Sequence, residues 1–260
     1  HRIRLLGVLR LATFLPTGCF ASLQLKPLHL RCAEYHPLCY NLGFAMYPKG
    51  NLQIPAPHGQ LEAILKEPVG ERRGVGVVCH PHPLGGGTMH NKVVFRASAG
   101  LVDAGLATLR FNFRGVGSST GVHSEIPGGL EDVRAAVDYA ASRFPGEDVT
   151  LAGFSFGSRT GMEVGMADDR VKRLISIGTP VDKYDDYEFL IRLRKPILFV
   201  HGDSDEFGSV ANLKELVDRV AENTDCELVL FHSCGHFFDE HLNELRDTVR
   251  EWTEKKIAQA

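Results

Sequence analysis

The chain has 260 residues, 43% of them hydrophobic and 23% charged, with a formal net charge of −3. That balance suffices for one large buried core and argues against nucleic acid or an anionic membrane surface as the main partner. None of the six cysteines (Cys19, Cys32, Cys39, Cys79, Cys226 and Cys234) forms a C-x-x-C pair. A disulfide framework is therefore not indicated; Cys79 and Cys226 read as buried free thiols, and a reducing, cytoplasmic setting is expected.

The first 45 residues carry five Lys/Arg and one Glu, a net +4 that leaves −7 for the remainder. Three readings compete for this stretch. Arg2 and Arg4 precede an apolar run from Leu5 to Leu15, as in a secretory signal, but Arg10 interrupts the run and Pro16 follows it. A transmembrane helix would need about 20 apolar residues without a charge. The composition break favours the third reading. Residues 1–46 are then an extension outside the fold, with Met46 as the natural start, and residues 47–260 form the domain.

From residue 51 the pattern becomes regular. Residues 51–54 and 60–65 read as two short strands around Pro55-Ala56-Pro57-His58-Gly59, an antiparallel hairpin at a sheet edge. Residues 75–80 (V-G-V-V-C-H) form a continuous apolar run, the mark of a central parallel strand, and empty into Pro81-His82-Pro83-Leu84-Gly85-Gly86-Gly87. A helix is predicted over 90–103, a strand over 106–113, the loop Arg114-Gly115-Val116-Gly117-Ser118-Ser119, and a helix over 130–144 stopped by Pro145-Gly146. A short buried strand, with Val149 and Leu151, runs into the tight turn Gly153-Phe154-Ser155-Phe156-Gly157 and a helix to about Ala167. Strands at 173–178, 197–201 and 227–232 alternate with a short helix at 184–193 and helices at 209–222 and 242–256. Strands alternating with helices of this length mean βαβ units and a mostly parallel sheet, here of about eight strands with helices on both faces.

Four loops emerge at the carboxyl ends of these strands, where ligands bind in open α/β sheets. In G-F-S-F-G, a serine at the tip of a strand-to-helix turn is forced into a strained backbone conformation. The crowding of that turn leaves room only for glycine two residues to either side. The turn also directs the first N–H groups of the next helix toward whatever the serine attacks. A carboxylate loop, His201-Gly202-Asp203-Ser204-Asp205-Glu206, and a histidine loop, Ser233-Cys234-Gly235-His236-Phe237-Phe238, follow in chain order. Nucleophile, orienting acid and base are the parts acyl transfer needs. His232 and His241 compete with His236 for the base; they are placed within the last strand and on the first turn of the last helix.

As a set, G-F-S-F-G, H-G-D-S-D and C-G-H-F-F resemble the α/β-hydrolase superfamily over about residues 50–258. The H-P-H-P loop is similar to that of a cap-less bacterial subgroup of predicted hydrolases. The resemblance implies Ser155 as nucleophile and His236 as base. The acid, four residues after the histidine of the H-G-x-x-D loop, is Asp205, with Asp203 as the alternative. It also implies an oxyanion hole built from the backbone N–H groups of Phe156 and His82, the latter by its position in the loop; Pro81 and Pro83 on either side have no N–H to donate.

Only residues 179–196 lie where a cap would be inserted, so the site is expected to be open. Gly85–Gly87, Phe156, Tyr184, Tyr187, Phe207, Phe237 and Phe238 are its expected walls. The function expected is a serine hydrolase of the carboxylic-ester type, acting on a small-molecule acyl substrate with no cofactor. Thioesterase, lactonase and peptidase chemistry on the same triad, or a non-catalytic binding module of this fold, are the alternatives. The glycine spacing of Arg114–Gly121 is one residue off a dinucleotide loop, and His80, His82 and His90 lack the Asp-His that an H-x-H metal cage requires, so neither nucleotide nor metal is expected.

Overall fold

A computed structural model describes residue 50, residues 52–184 and residues 186–259. The readings made for residues 1–46, with Cys19, Cys32 and Cys39, lie outside the described residues. Eight strands form one sheet: Leu52–Ala56 (β1), Gly59–Lys66 (β2), Val75–Cys79 (β3), Ala107–Phe111 (β4), Val149–Phe154 (β5), Val171–Ile177 (β6), Ile197–Gly202 (β7) and Cys226–Phe231 (β8). Their spatial order is β1-β2-β4-β3-β5-β6-β7-β8. β1 and β2 form an antiparallel hairpin closed at Ala56↔Gly59, β2 pairs antiparallel with β4, and every other pairing is parallel.

Five helices cover the two faces. Lys92–Asp103 (α1) and Leu242–Ala258 (α5) pack on one, and Glu125–Arg143 (α2), Phe156–Ala167 (α3) and Val210–Ala221 (α4) on the other. The alternation of side chains along a strand feeds both layers. On β5, Val149 and Leu151 join the core under α2, α3 and α4, while Ala152 and Phe154 join the core under α1 and α5. Removing a fully buried ring such as Phe154 would cost about 3–5 kcal/mol, so these layers fix the strand ends firmly.

Two helices depart from the periodicity. α2 begins at Glu125, five residues before the predicted start at Leu130. Pro127 falls in its first turn, where a missing N–H costs nothing, so it does not break the helix. Gly129 is a packing requirement there, because a Cβ at that position would lie 2.8 Å from the Phe156 ring. The helix predicted at 184–193 is only a 3-10 turn, Glu188–Arg192, with Leu190 as its one buried residue and hence no apolar face for an α-helix to bury. No cap domain interrupts the described residues between β6 and β7. No helix among the described residues is long and apolar enough to cross a membrane.

Candidate active site

Adjacent parallel strands β3, β5, β6, β7 and β8 end at Cys79, Phe154, Ile177, Gly202 and Phe231, so the loops that follow them gather at one edge of the sheet. Ser155 caps α3 with φ 56° and ψ −119°, a region that L-residues rarely occupy. Its N–H donates to the Ile177 carbonyl at 3.0 Å, tying the turn to β6. A Cβ on Gly153 would stand 2.1 Å from the Gly157 oxygen, and one on Gly157 would stand 2.5 Å from both the Cys79 and His80 oxygens. The two glycines are therefore demanded by the elbow itself. Ser155 is half-buried at the tip.

His236 is buried, and its Nδ1 lies 2.7 Å from Asp205 Oδ2. The other carboxylate oxygen accepts the Phe207 N–H at 2.8 Å. Asp205 thus both closes a local turn and faces the imidazole. The ring leans on Gly178, where φ is 52° and a Cβ would stand 3.2 Å from His236 Cε1. Phe207 meets it edge-on at 4.7 Å. Asp203, the alternative acid, faces His232 instead: its carboxylate lies 3.2 Å from His232 Nδ1 and accepts the Ser204 hydroxyl at 3.0 Å. The Ser204 hydrogen bond holds that carboxyl below its ordinary range. His232 stands just beyond β8 rather than within it, with its side chain 92% exposed, and His241 is the N-cap of α5 rather than a residue of its first turn.

Sequence reasoning assigned no structural role to two buried histidines, His80 and His201, that build the site. His80 Nδ1 lies 2.6 Å from the Pro81 carbonyl and Nε2 lies 3.0 Å from the Phe113 amide nitrogen. A carbonyl only accepts and an N–H only donates, so Nδ1 carries the proton and Nε2 takes the Phe113 hydrogen. Burial pushes the His80 pKa down to about 3 and keeps this neutral tautomer. His201 donates from Nε2 to the Gly208 carbonyl at 2.6 Å, while its Nδ1 lies 3.8 Å from Asp205 Oδ2 without a hydrogen-bond partner. The donation from His80 to Pro81 fixes the start of the loop after β3. A Cβ on Gly87 would stand 2.1 Å from the Pro81 oxygen, so the loop closes tightly on itself. Neither the His82 N–H nor the Phe156 N–H donates to another described residue.

The loop after β4 is structural. Arg114 grips the fully buried Asp132 of α2 through its guanidinium at 2.8 and 3.0 Å and through its backbone N–H at 2.8 Å. The Ser118 N–H donates to Glu62 at 2.8 Å, so an internal carboxylate holds the turn that resembled a phosphate loop. Of the expected walls, Phe156 and Phe238 are fully buried and Tyr187 nearly so, which makes them core. Tyr184 and Phe207 are half-buried, Gly85 and Gly86 are exposed although Gly87 is buried, and Phe237 is 43% exposed beside the His236 ring.

Residues 77–256 match the family model described as an alpha/beta hydrolase domain. The chain belongs to the α/β-hydrolase family. This α/β hydrolase is 32% identical over 203 residues to an uncharacterized protein of Rickettsia prowazekii, a match spanning 75% of this chain and 85% of that one. Its fold is similar to that of an alpha-beta serine hydrolase homologue from Coxiella burnetii, at 38% identity and a TM-score of 0.73, covering 79% of this chain and 98% of that chain. An α/β serine hydrolase without lid from Xanthomonas campestris is 29% identical with a TM-score of 0.72, covering 81% and 96%. The chain is thus a cap-less α/β hydrolase.

Proposed function

We propose that this hydrolase is a serine esterase that cleaves ester-like acyl bonds through Ser155, His236 and Asp205. The observation that carries the reading is the buried 2.7 Å contact of His236 with Asp205, on strand ends neighbouring a serine held at positive φ. Nε2 of His236 takes the Ser155 hydroxyl proton as Oγ attacks the acyl carbon. Nδ1–H stays bonded to Asp205, which keeps the ring in the right tautomer and stabilises its cation. The His82 and Phe156 N–H groups, unused among the described residues, receive the charge that develops on the carbonyl oxygen. Each such donor is worth about 3–4 kcal/mol in the transition state. The alcohol leaves with the proton returned by His236, and water, deprotonated by the same ring, releases the acid.

The exposed Phe237 and half-buried Phe207 flank the His236 ring and offer an apolar surface to an acyl or alcohol group. Support also comes from the serine hydrolase homologues among the similar structures. Turnover of short p-nitrophenyl esters by the wild type and by Ser155→Ala tests the reading. Activity abolished by the substitution supports it; equal activity refutes it.

A further inference from the structure

A second group of ionisable side chains gathers around Phe156, the residue after Ser155. The ring of His82, from the loop after β3, packs 5.1 Å from the Phe156 ring. That of His123, from the end of the loop after β4, packs 5.7 Å from it, and the two histidine rings are 4.9 Å apart. Glu125, at the start of α2, sets Oε2 3.2 Å from His82 Nε2 and Oε1 3.5 Å from His123 Nε2. The ligand atoms of all three residues lie within 4.8 Å of one another. A tetrahedral ion about 2.1 Å from each ligand spaces the ligand atoms about 3.4 Å apart; the 3.2 and 3.5 Å separations, which run to the two different oxygens of the one Glu125 carboxylate, are of that size.

The second observation is at His123. Its side chain is only 8% exposed, and Nε2 makes no hydrogen bond of good geometry: the group facing it is Glu125 Oε1 at 3.5 Å. A ligand at this point would give that buried nitrogen the well-aligned partner it lacks. His80, which the sequence groups with His82, is excluded because both of its nitrogens are engaged.

We propose that His82, His123 and Glu125 form a binding site for a divalent transition metal of the zinc class, with a fourth position open to water. Two imidazoles and one carboxylate favour such an ion over magnesium or calcium, which take all-oxygen cages. Burial favours neutral His82, and the hydrogen bond from His82 holds the Glu125 carboxyl below its ordinary range. In the free protein His82 Nδ1 accepts the Leu84 N–H at 3.2 Å, so the proton sits on Nε2. As the ion bonds to Nε2, that proton is replaced by one on Nδ1, and the N–H of the exposed Leu84 turns to solvent. No net proton is lost. Lys183 opposes added positive charge at His82, and the Glu125 carboxylate offsets it.

The test uses the full chain and zinc alone, titrated in competition with a chromophoric chelator. Its readout is zinc affinity, so it stands or falls independently of the esterase reading. His123→Phe keeps a packed ring and removes the nitrogen, Glu125→Gln removes the charge at an exposed position, and His241→Ala is a histidine control elsewhere on the surface. Groups that merely orient metal ligands are worth about 10- to 100-fold in affinity, so loss of a ligand must weaken binding at least about tenfold. Zinc binding by the wild type and by His241→Ala, weakened at least that far in His123→Phe and in Glu125→Gln, supports the site. If His123→Phe fails to fold, Glu125→Gln decides alone. No zinc binding by the wild type, or the same affinity in Glu125→Gln as in the wild type, overturns it.

Discussion

Asp205 Oδ2 meets His236 Nδ1 at 2.7 Å while its Oδ1 accepts the Phe207 N–H at 2.8 Å, so one carboxylate is locked into its own turn and into the imidazole at once. Asp203, two residues earlier, is turned the other way toward the exposed His232. Asp205→Asn should therefore lower kcat for ester hydrolysis by about 10³–10⁴-fold, because an amide stabilises the wrong imidazole tautomer and no cation. Asp203→Asn should stay within about threefold of wild type, since an exposed pair of this kind contributes little. Steady-state kinetics of the two variants, side by side, decide between the acids; the reverse ranking would transfer the role to Asp203.

The positive φ of Ser155 separates activity from stability. Glycine tolerates that backbone and alanine does not, so Ser155→Gly should be more stable than Ser155→Ala by about 1 kcal/mol while both are inactive. Gly157→Ala should instead cost about 3 kcal/mol or more, because its methyl meets two carbonyl oxygens at 2.5 Å. Urea unfolding of the three variants measures both effects. A Gly157→Ala protein as stable as the wild type would mean that the elbow is looser than described.

His80 makes stability depend on acid. Its pKa is depressed to about 3 in the folded protein, below its ordinary value of 6.5, so between these two values the unfolded chain binds the extra proton and the folded one does not. Its contribution is thus complete above pH 6.5 and lost as the pH falls, at up to about 1.4 kcal/mol per pH unit. His80→Gln, which keeps a donor and an acceptor but does not titrate, should show a shallower loss between pH 6.5 and 5. Denaturant midpoints across that range test it, and parallel profiles would remove His80 from the account.

Phe207 and Phe237 border the His236 ring. If they receive the apolar part of the substrate, each change to alanine should raise KM about fivefold for butyryl and longer esters, roughly 1 kcal/mol of lost contact, with little change for acetyl esters. A KM series over acyl length reads this directly. An increase of equal size at every length would assign the rings to folding rather than to specificity.

How much of this was legible beforehand follows from where each constraint acts. The elbow was readable because its glycines answer a steric demand within five residues. The parallel sheet was readable because its strands are continuous apolar runs, as β3 is. Asp205 over Asp203 came from resemblance: two carboxylates on one loop look alike until the Phe207 N–H turns one of them inward. The helix predicted from Leu130 starts at Glu125 because Pro127 is accommodated in its first turn and Gly129 by the Phe156 ring, and neither shows as apolar periodicity. The walls were over-assigned because an aromatic near a site looks the same in sequence whether it faces the core, as Phe238 does, or solvent, as Phe237 does. The meeting of His82 with His123 and Glu125 was invisible, since about forty residues separate them and only the packing of α2 against the elbow brings them together.

The most direct measurement is fluorophosphonate labelling of the folded protein, with the adduct located by mass spectrometry. One label on Ser155, absent from Ser155→Ala and from denatured wild type and greatly slowed in His236→Ala, is the predicted result. An unlabelled wild type, or a Ser155→Ala protein that labels as fast as wild type, would contradict the assignment of Ser155 as an activated nucleophile.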